Sequence, residues 1–370
     1  MIGKERAAYL FLSLLQAKTG SSVMSRLGDL TPEDFMEMTA TELAQRISIT
    51  DRASKIFTEL KKDFDPQETY EKLRQKGANF ITPIDKDYPE RLATVPDLPP
   101  ALYLQGRIPE GPAVALVGSR KASPTGLDAA RRLAEALCER GACVVSGLAL
   151  GIDAAAHQGA LAGGGPTVGV LGCGIDVVYP RSNRGLFERV NQSGGIVSEY
   201  YLGEAPLPWR FPARNRIIAG LADVLVVVEA AEKSGALITA RHALESGRDV
   251  WAVPGPLGAA ECRGSNKLLA DGAGVLWDIP EFVEEVAPKS QAATRDPESV
   301  GVHEPLIPDE LPQDEARVLA GIGFEPTPVD AVAGRSGVQM RELLSALALL
   351  ELKGYVTRDA SGSLIRRAVG

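Results

Sequence analysis

Apolar runs rich in valine and isoleucine at 114–117, 143–146, 167–171, 196–198, 224–229, 250–253 and 275–277 alternate with helical segments at 126–140, 153–161, 183–191, 216–221 and 234–246. A strand that is apolar along its whole length has both faces covered, and an intervening helix returns the chain to the starting end of the sheet. The alternation therefore predicts an α/β fold, a mostly parallel sheet with helices on both faces. Ligands of such sheets bind outside the carboxyl ends of the strands. The glycines and arginines of this chain collect there.

The flanks follow other patterns. Residues 1–75 read as a small helical domain, SAM-like or helix-hairpin-helix-like, with short helices at 5–18, 22–27, 31–38, 41–46 and 51–64. Thr31-Pro-Glu-Asp supplies the cap, the proline at the first helical position and the acidic first turn of a helix start. No GxG hairpin signature accompanies it. The sheet domain is expected over 76–285. Residues 286–310, with Pro, Ser, Gln and acidic side chains and little periodicity, read as a linker. Helical patterns at 313–320, 329–333 and 338–353, then a hairpin around Ala360-Ser-Gly362, predict a winged-helix domain over 311–370.

With 370 residues, 45% of them apolar, the chain can build two or three domains. No run approaches the ~20 apolar residues of a membrane span, and no secretory leader pattern is present, so a cytoplasmic protein with no membrane partner is expected. Cys138, Cys143, Cys173 and Cys262 lack CxxC spacing and are read as buried reduced thiols. The net charge of −8 argues against indiscriminate adhesion to polyanions. The local field is different: between Pro206 and Arg248, six Lys/Arg stand against four acids.

Four segments carry candidate ligand contacts. Arg210, Phe211, Arg214, Asn215 and Arg216 lie just before an apolar helical run. Arginine gives bidentate phosphate contacts, an amide can read a base edge, and an aromatic ring is a stacking platform. Ser234 and Gly235 open the next helix after a strand, where free backbone N–H groups can face an anion. Gly118-Ser119-Arg120-Lys121 ends the first strand of the sheet and Ser123-Pro-Thr-Gly126 leads into a helix. There glycine permits close approach, Ser119 can donate, and Arg120 can clamp a phosphate above the helix N-terminus. Arg181 and Asn183 close a further loop at 171–183. A surface turn with solvated basic residues would account for any one of these loops, but not for their repetition at successive strand ends. Asp153 is read as a helix N-cap and His157 as a packed histidine. No nucleophile, general base or metal-ligand set accompanies them, and neither GxGxxG after a strand nor GxxxxGK[ST] occurs. No catalytic residue, metal or cofactor is assigned.

Together these motifs resemble the DNA-processing protein A (DprA/Smf) family. The resemblance is carried by GSRxxSxxG at 118–126, SGLAxGID at 146–153, GxGIDxxYPxxN at 172–183, SEY at 198–200, FPxRNRIIAGL at 211–221, SGALITAR at 234–241 and VPG at 253–255, in the family's order. It implies an extended Rossmann-like sheet domain that binds single-stranded DNA (ssDNA), flanked by the N-terminal helical and C-terminal winged-helix domains. It further implies a homodimer that protects incoming ssDNA and hands it to the recombinase RecA in natural transformation, without catalysis. By this resemblance Arg120, Arg181 and Phe211, with Arg214, Asn215 and Arg216, are the DNA-contacting set. Arg210 stands in for a lysine that some members carry before the phenylalanine. The alternative is a nucleotide-processing enzyme on a related sheet, but the PGGxGTxxE pattern of such enzymes is missing. A duplex-specific regulator would use the helical segment 338–353, where Arg341 and Lys353 are offset by Glu342 and Glu351, a poor balance for groove binding.

Overall fold

The apolar runs pair side by side in one mostly parallel sheet. The computed structural model describes residues 2–20, 22–47, 50–287, 311–322, 328–336, 338, 340–358 and 364–366. They form two compact units, Met1–Lys289 and Ser290–Gly370.

The first unit begins with α1 (Lys4–Thr19), α2 (Pro32–Glu37), α3 (Ala40–Ile47), α4 (Asp51–Asp63) and α5 (Pro66–Gln75). Then come β1 (Asn79–Ile81), β2 (Leu102–Gly106), β3 (Ala113–Val117), α6 (Pro124–Glu139), β4 (Cys143–Ser146), α7 (Ile152–Ala162), β5 (Thr167–Gly174), α8 (Arg184–Ser193) and β6 (Gly195–Tyr200). The unit closes with α9 (Arg210–Gly220), β7 (Val224–Val227), α10 (Ala236–Glu245), β8 (Asp249–Ala252), α11 (Arg263–Ala270), β9 (Gly274–Val275) and α12 (Ile279–Val286). The nine strands lie in the order β1-β2-β6-β5-β4-β3-β7-β8-β9. β1–β2 and β2–β6 are antiparallel and the remaining pairs are parallel, with Val114 opposite Val224 where β3 meets β7. This is an extended Rossmann-like sheet. The chain winds outward from β3 to β6, then restarts on the other side of β3, which makes the carboxyl end of β3 a topological switch point. The antiparallel edge was not expected from the sequence, because β1 is only three residues long.

Each face of the sheet is covered. Leu133 and Leu137 of α6, Ile152 of α7 and Phe282 of α12 pack on Val114, Leu116 and Val144. Ile217 and Ile218 of α9 and Ala240 of α10 cover Ala115, Val145 and Leu225 on the other side. Every residue from Ala7 to Ala17 of α1 is buried, as a helix that is apolar nearly all round must be. One side of α1 packs Phe11 edge-on against Phe57 and Phe64, and the other bonds Ser13 Oγ to Tyr103 of β2 at 2.9 Å. The N-terminal helices and the sheet thus share one core through α1.

His157 is packed as expected, fully buried with Nδ1 on Thr167 Oγ1 at 2.7 Å. Burial, and then the charge of Arg214, push its pKa down to about 3 from the ordinary 6.5. Below pH about 6.5 the unfolded chain takes up a proton that the folded protein refuses. This contribution to stability is therefore present above that pH and lost as pH falls towards about 3, by up to about 4–5 kcal/mol. Asp153, raised by burial, acts in the opposite sense. Denaturation midpoints measured down this window should fall more steeply for the parent than for His157→Asn. Parallel curves would show that this imidazole does not set the acid limit.

The second unit contains α13 (Gln313–Ala320), α14 (Val329–Ser336), α15 (Met340–Leu352), β10 (Val356–Arg358) and β11 (Leu364–Arg366), the strands antiparallel with Val356 opposite Arg366. Val318, Leu343, Leu347, Leu350, Val356 and Leu364 form its core. Three helices and a hairpin are the order expected of a winged helix. Lys353, one of the two cations of the candidate recognition segment, is held by Glu315 at 2.7 Å. Of the segment 286–310 read as a linker, Val286 closes α12 and Ala287 is buried, while residues 288–310 and the hairpin turn around Ala360 lie outside the described residues.

Candidate nucleic-acid interface

Helix α9 starts at Arg210, well before the apolar segment 216–221 that marked it in the sequence. That start changes what its arginines can do. Side chains one or two positions apart on a helix point to different sides, so Arg214, Asn215 and Arg216 diverge. Arg216 turns towards β6, where Nη1 and Nη2 grip Glu199 Oε2 and Oε1 at 3.0 and 2.5 Å and Nε reaches Asp97 at 3.2 Å. Arg210 donates to Glu204 at 2.6 Å and to the Ala17 carbonyl at 3.1 Å, and its guanidinium lies 4.4 Å from the Tyr200 ring centre. Arg214 donates to Gly147 O at 2.9 Å and to Val170 O. Relative exposures are 2%, 3% and 5% for Arg210, Arg214 and Arg216. Arg210, Arg214 and Arg216, expected from the sequence to clamp phosphates, are turned inward in the structure, with guanidinium donors bonded to protein acceptors. Arg214 retains a role in the field, since it floors a cavity beside Asp153. Burial pulls its pKa down and the Asp153 charge opposes that.

The cavity measures about 320 Å³ and opens at the switch point, where Gly118 and Arg120 follow β3, Asp153 follows β4, and Ser234 and Gly235 follow β7. Phe211 and Asn215, one helical turn apart on α9, form its facing wall. Phe211 is half-buried. Its ring rests against Gly172 of β5, where a Cβ would come within 2.9 Å, so glycine makes room for it. Tyr179 tilts beside Phe211 with ring centres 5.4 Å apart, and Arg120 Cζ lies 5.3 Å from the Phe211 centre. Asn215 Nδ2 donates to Gly235 O at 3.3 Å, and Ser234 Oγ accepts from Ala236 N at 3.3 Å, so one N–H of the α10 start is already satisfied.

The loop after β3 is fixed by its backbone. A Cβ at Gly118 would meet Ile152 Cγ1 at 2.5 Å and Glu229 O at 2.8 Å. Ser119 N donates to Glu229 O at 2.7 Å, its carbonyl accepts from Ile152 N at 3.1 Å, and its Oγ accepts from Lys121 N at 3.1 Å. Arg120 and Lys121 are left exposed. The N-terminus of α6 is not an open anion site: Ser123 Oγ accepts from Gly126 N at 3.0 Å, and Glu229 accepts from Ser123 N at 2.9 Å. The protein's own carboxylate sits where a phosphate was expected.

Arg181 is exposed in the turn before α8. Asn183 instead ties two loops together, donating to Leu148 O at 3.0 Å and to Ala149 O at 3.4 Å. Its amide nitrogen, expected from the sequence to face DNA, is turned to these two carbonyls. It also fastens Leu148, which carries a φ of 55°, a conformation that side chains other than glycine rarely adopt. The N-cap of α7 is Gly151 rather than Asp153, whose carboxylate accepts from Ala149 N at 3.4 Å. Tyr179 stands outside the contact set read from the sequence, although the Tyr179-Pro-Arg181 triplet is not explained by a turn alone.

A family model described as DNA recombination-mediator protein A matches residues 79–287, and one described as DprA winged helix domain matches residues 303–362. The chain belongs to the DNA recombination-mediator protein A family. Protein Smf of Synechocystis is 35% identical over 335 residues, covering 82% of this chain and 84% of that protein. The X-ray structure of DNA processing protein A from Streptococcus pneumoniae superposes with a TM-score of 0.64 at 32% identity, over 77% of this chain and 98% of that one. A structure of DNA processing protein A from Helicobacter pylori, described for its single-stranded DNA binding mode, gives 0.51 at 31% identity, over 56% of this chain and 94% of that one. Among the described residues no helix is long and apolar enough to cross a membrane, and no cluster of His, Cys, Asp and Glu could hold a metal ion.

Proposed function

We propose that this protein is a non-catalytic ssDNA-binding mediator of the cytoplasm. It protects incoming strands and helps load RecA during natural transformation. The observation that carries the reading is Phe211 at the mouth of the switch-point cavity, flanked by Tyr179 and by the exposed cation Arg120. A stacking platform beside a phosphate-binding charge suits a flexible strand, whose bases can leave the stack, better than a duplex. The H. pylori relative described for its ssDNA binding mode supports the same ligand. Hydrolysis of nucleotides would need an accessible acid, and the carboxylate lining this cavity, Asp153, is buried beside Arg214. Handover to RecA and homodimerisation rest on family membership. For the dimer, the short edge strand β9 offers a surface: Val275 and Trp277 are exposed there by 47% and 71%.

A titration with oligothymidine, duplex DNA and mononucleotides at two salt concentrations tests this reading. The single strand should bind tightest, and log K should fall against log salt by ~0.7 per phosphate contacted. Equal affinity for duplex would overturn it, and turnover of mononucleotides would favour an enzyme.

A further inference from the structure

Arg120 stands on a ridge between two cavities. On the side away from Phe211, a shallow hollow of about 290 Å³ lies between α6 and α7, lined by Arg120, Lys121, Leu127, Arg131, Gly151 and Gln158. Its chemistry is that of a phosphodiester contact. Lys121 and Gln158 are exposed, and Arg131 is half-buried with Nη2 on Gln158 Oε1 at 3.3 Å, which sets the two side chains next to each other across the helix pair. With its oxygen engaged by Arg131, Gln158 keeps its amide nitrogen as a donor. Leu127, Ala154 and Ala155 supply an apolar floor of a kind that accepts a sugar. The neighbouring acids only partly offset three cations: Asp128 is engaged by Arg132 at 3.7 Å, and Glu135 bears on Arg131 from one turn along α6.

We propose that this hollow is a second phosphate subsite, which takes the backbone of a single strand beyond the nucleotide stacked on Phe211. The strand crosses the ridge at Arg120 and continues along α6 and α7, with Arg131, Lys121 and Gln158 contacting its phosphates. This rests on the ssDNA reading of the Phe211 cavity, and it adds a route of extension to that site.

The test is fluorescence anisotropy on the full chain with a dinucleotide and a longer oligothymidine across a salt series, for the parent, Arg131→Ala, Arg131→Lys and Phe211→Ala. Arg131→Ala should weaken the long strand several-fold and reduce its salt slope by ~0.7, and should not weaken the dinucleotide. Arg131→Lys should recover most of the slope, since it keeps the charge. An Arg131→Ala protein that binds the long strand with parental affinity and slope, while Phe211→Ala weakens it, would overturn the subsite and leave the ssDNA reading standing. A parent that binds neither strand would sink both. Inorganic phosphate that displaces the long strand with equal potency from the parent and from Arg131→Ala would also count against this route.

Discussion

Arg216→Ala should destabilise the folded protein by about 3–5 kcal/mol while leaving ssDNA affinity per folded molecule unchanged. The substitution removes both bonds of a buried ion pair and strands Glu199, 4% exposed, in the core with Gln16 Nε2 at 2.8 Å as its remaining neutral donor. An uncompensated charge at that depth costs far more than the intact pair contributes, so the loss exceeds that of any surface arginine. Urea denaturation followed by binding at matched folded fractions separates the two readings of this residue. If affinity drops while the midpoint holds, Arg216 touches DNA and the packing described for α9 is not the one that operates.

The complementary expectation concerns Phe211→Ala, which should lower ssDNA affinity by ~1–3 kcal/mol and leave the salt slope as it was. The ring is half-buried between Tyr179 and Arg120 over Gly172, so part of it faces the cavity and part is packing. Arg120→Ala should differ in kind: weaker binding with a shallower slope, because a phosphate charge partner is lost. Salt-series titrations with thermal melts of both variants distinguish them. Identical slopes in the two variants would mean that Arg120 acts only by propping the ring and not through phosphate.

The parallel sheet was legible because its strands are short apolar runs that no solvent-facing element could tolerate. The gathering of Gly118 and Gly235 at one sheet edge was legible as well, since each follows an apolar run, and β3 and β7 are neighbours in the sheet. The fate of the arginines was not. Helix α9 has no side-chain cap, and Pro212 occupies its first turn, so neither a cap nor an apolar stripe marks Arg210 as the start. Read as a loop, Arg214-Asn215-Arg216 is one cluster; wound as a helix, it sends its charges to separate places. Glu199 and Glu229 carried a partial signal, because an acid at the end of a buried strand needs a partner. Only the fold brings Glu199 to Arg216 and Glu229 to Ser123.

Helix α9 is fastened on the side opposite Phe211, by Arg216 to β6 and by Arg210 to the last turn of α1. On the proposed reading, a strand drawn taut across Phe211 would pull on a helix anchored to β6 and α1, and not on a loop that can give way. Tension along the nucleic acid would then pass through two guanidinium groups into β6 and into the N-terminal helices. The protein is stiff along the direction in which a moving strand would tug it, and its grip should yield by the ring sliding off a base before the helix is displaced.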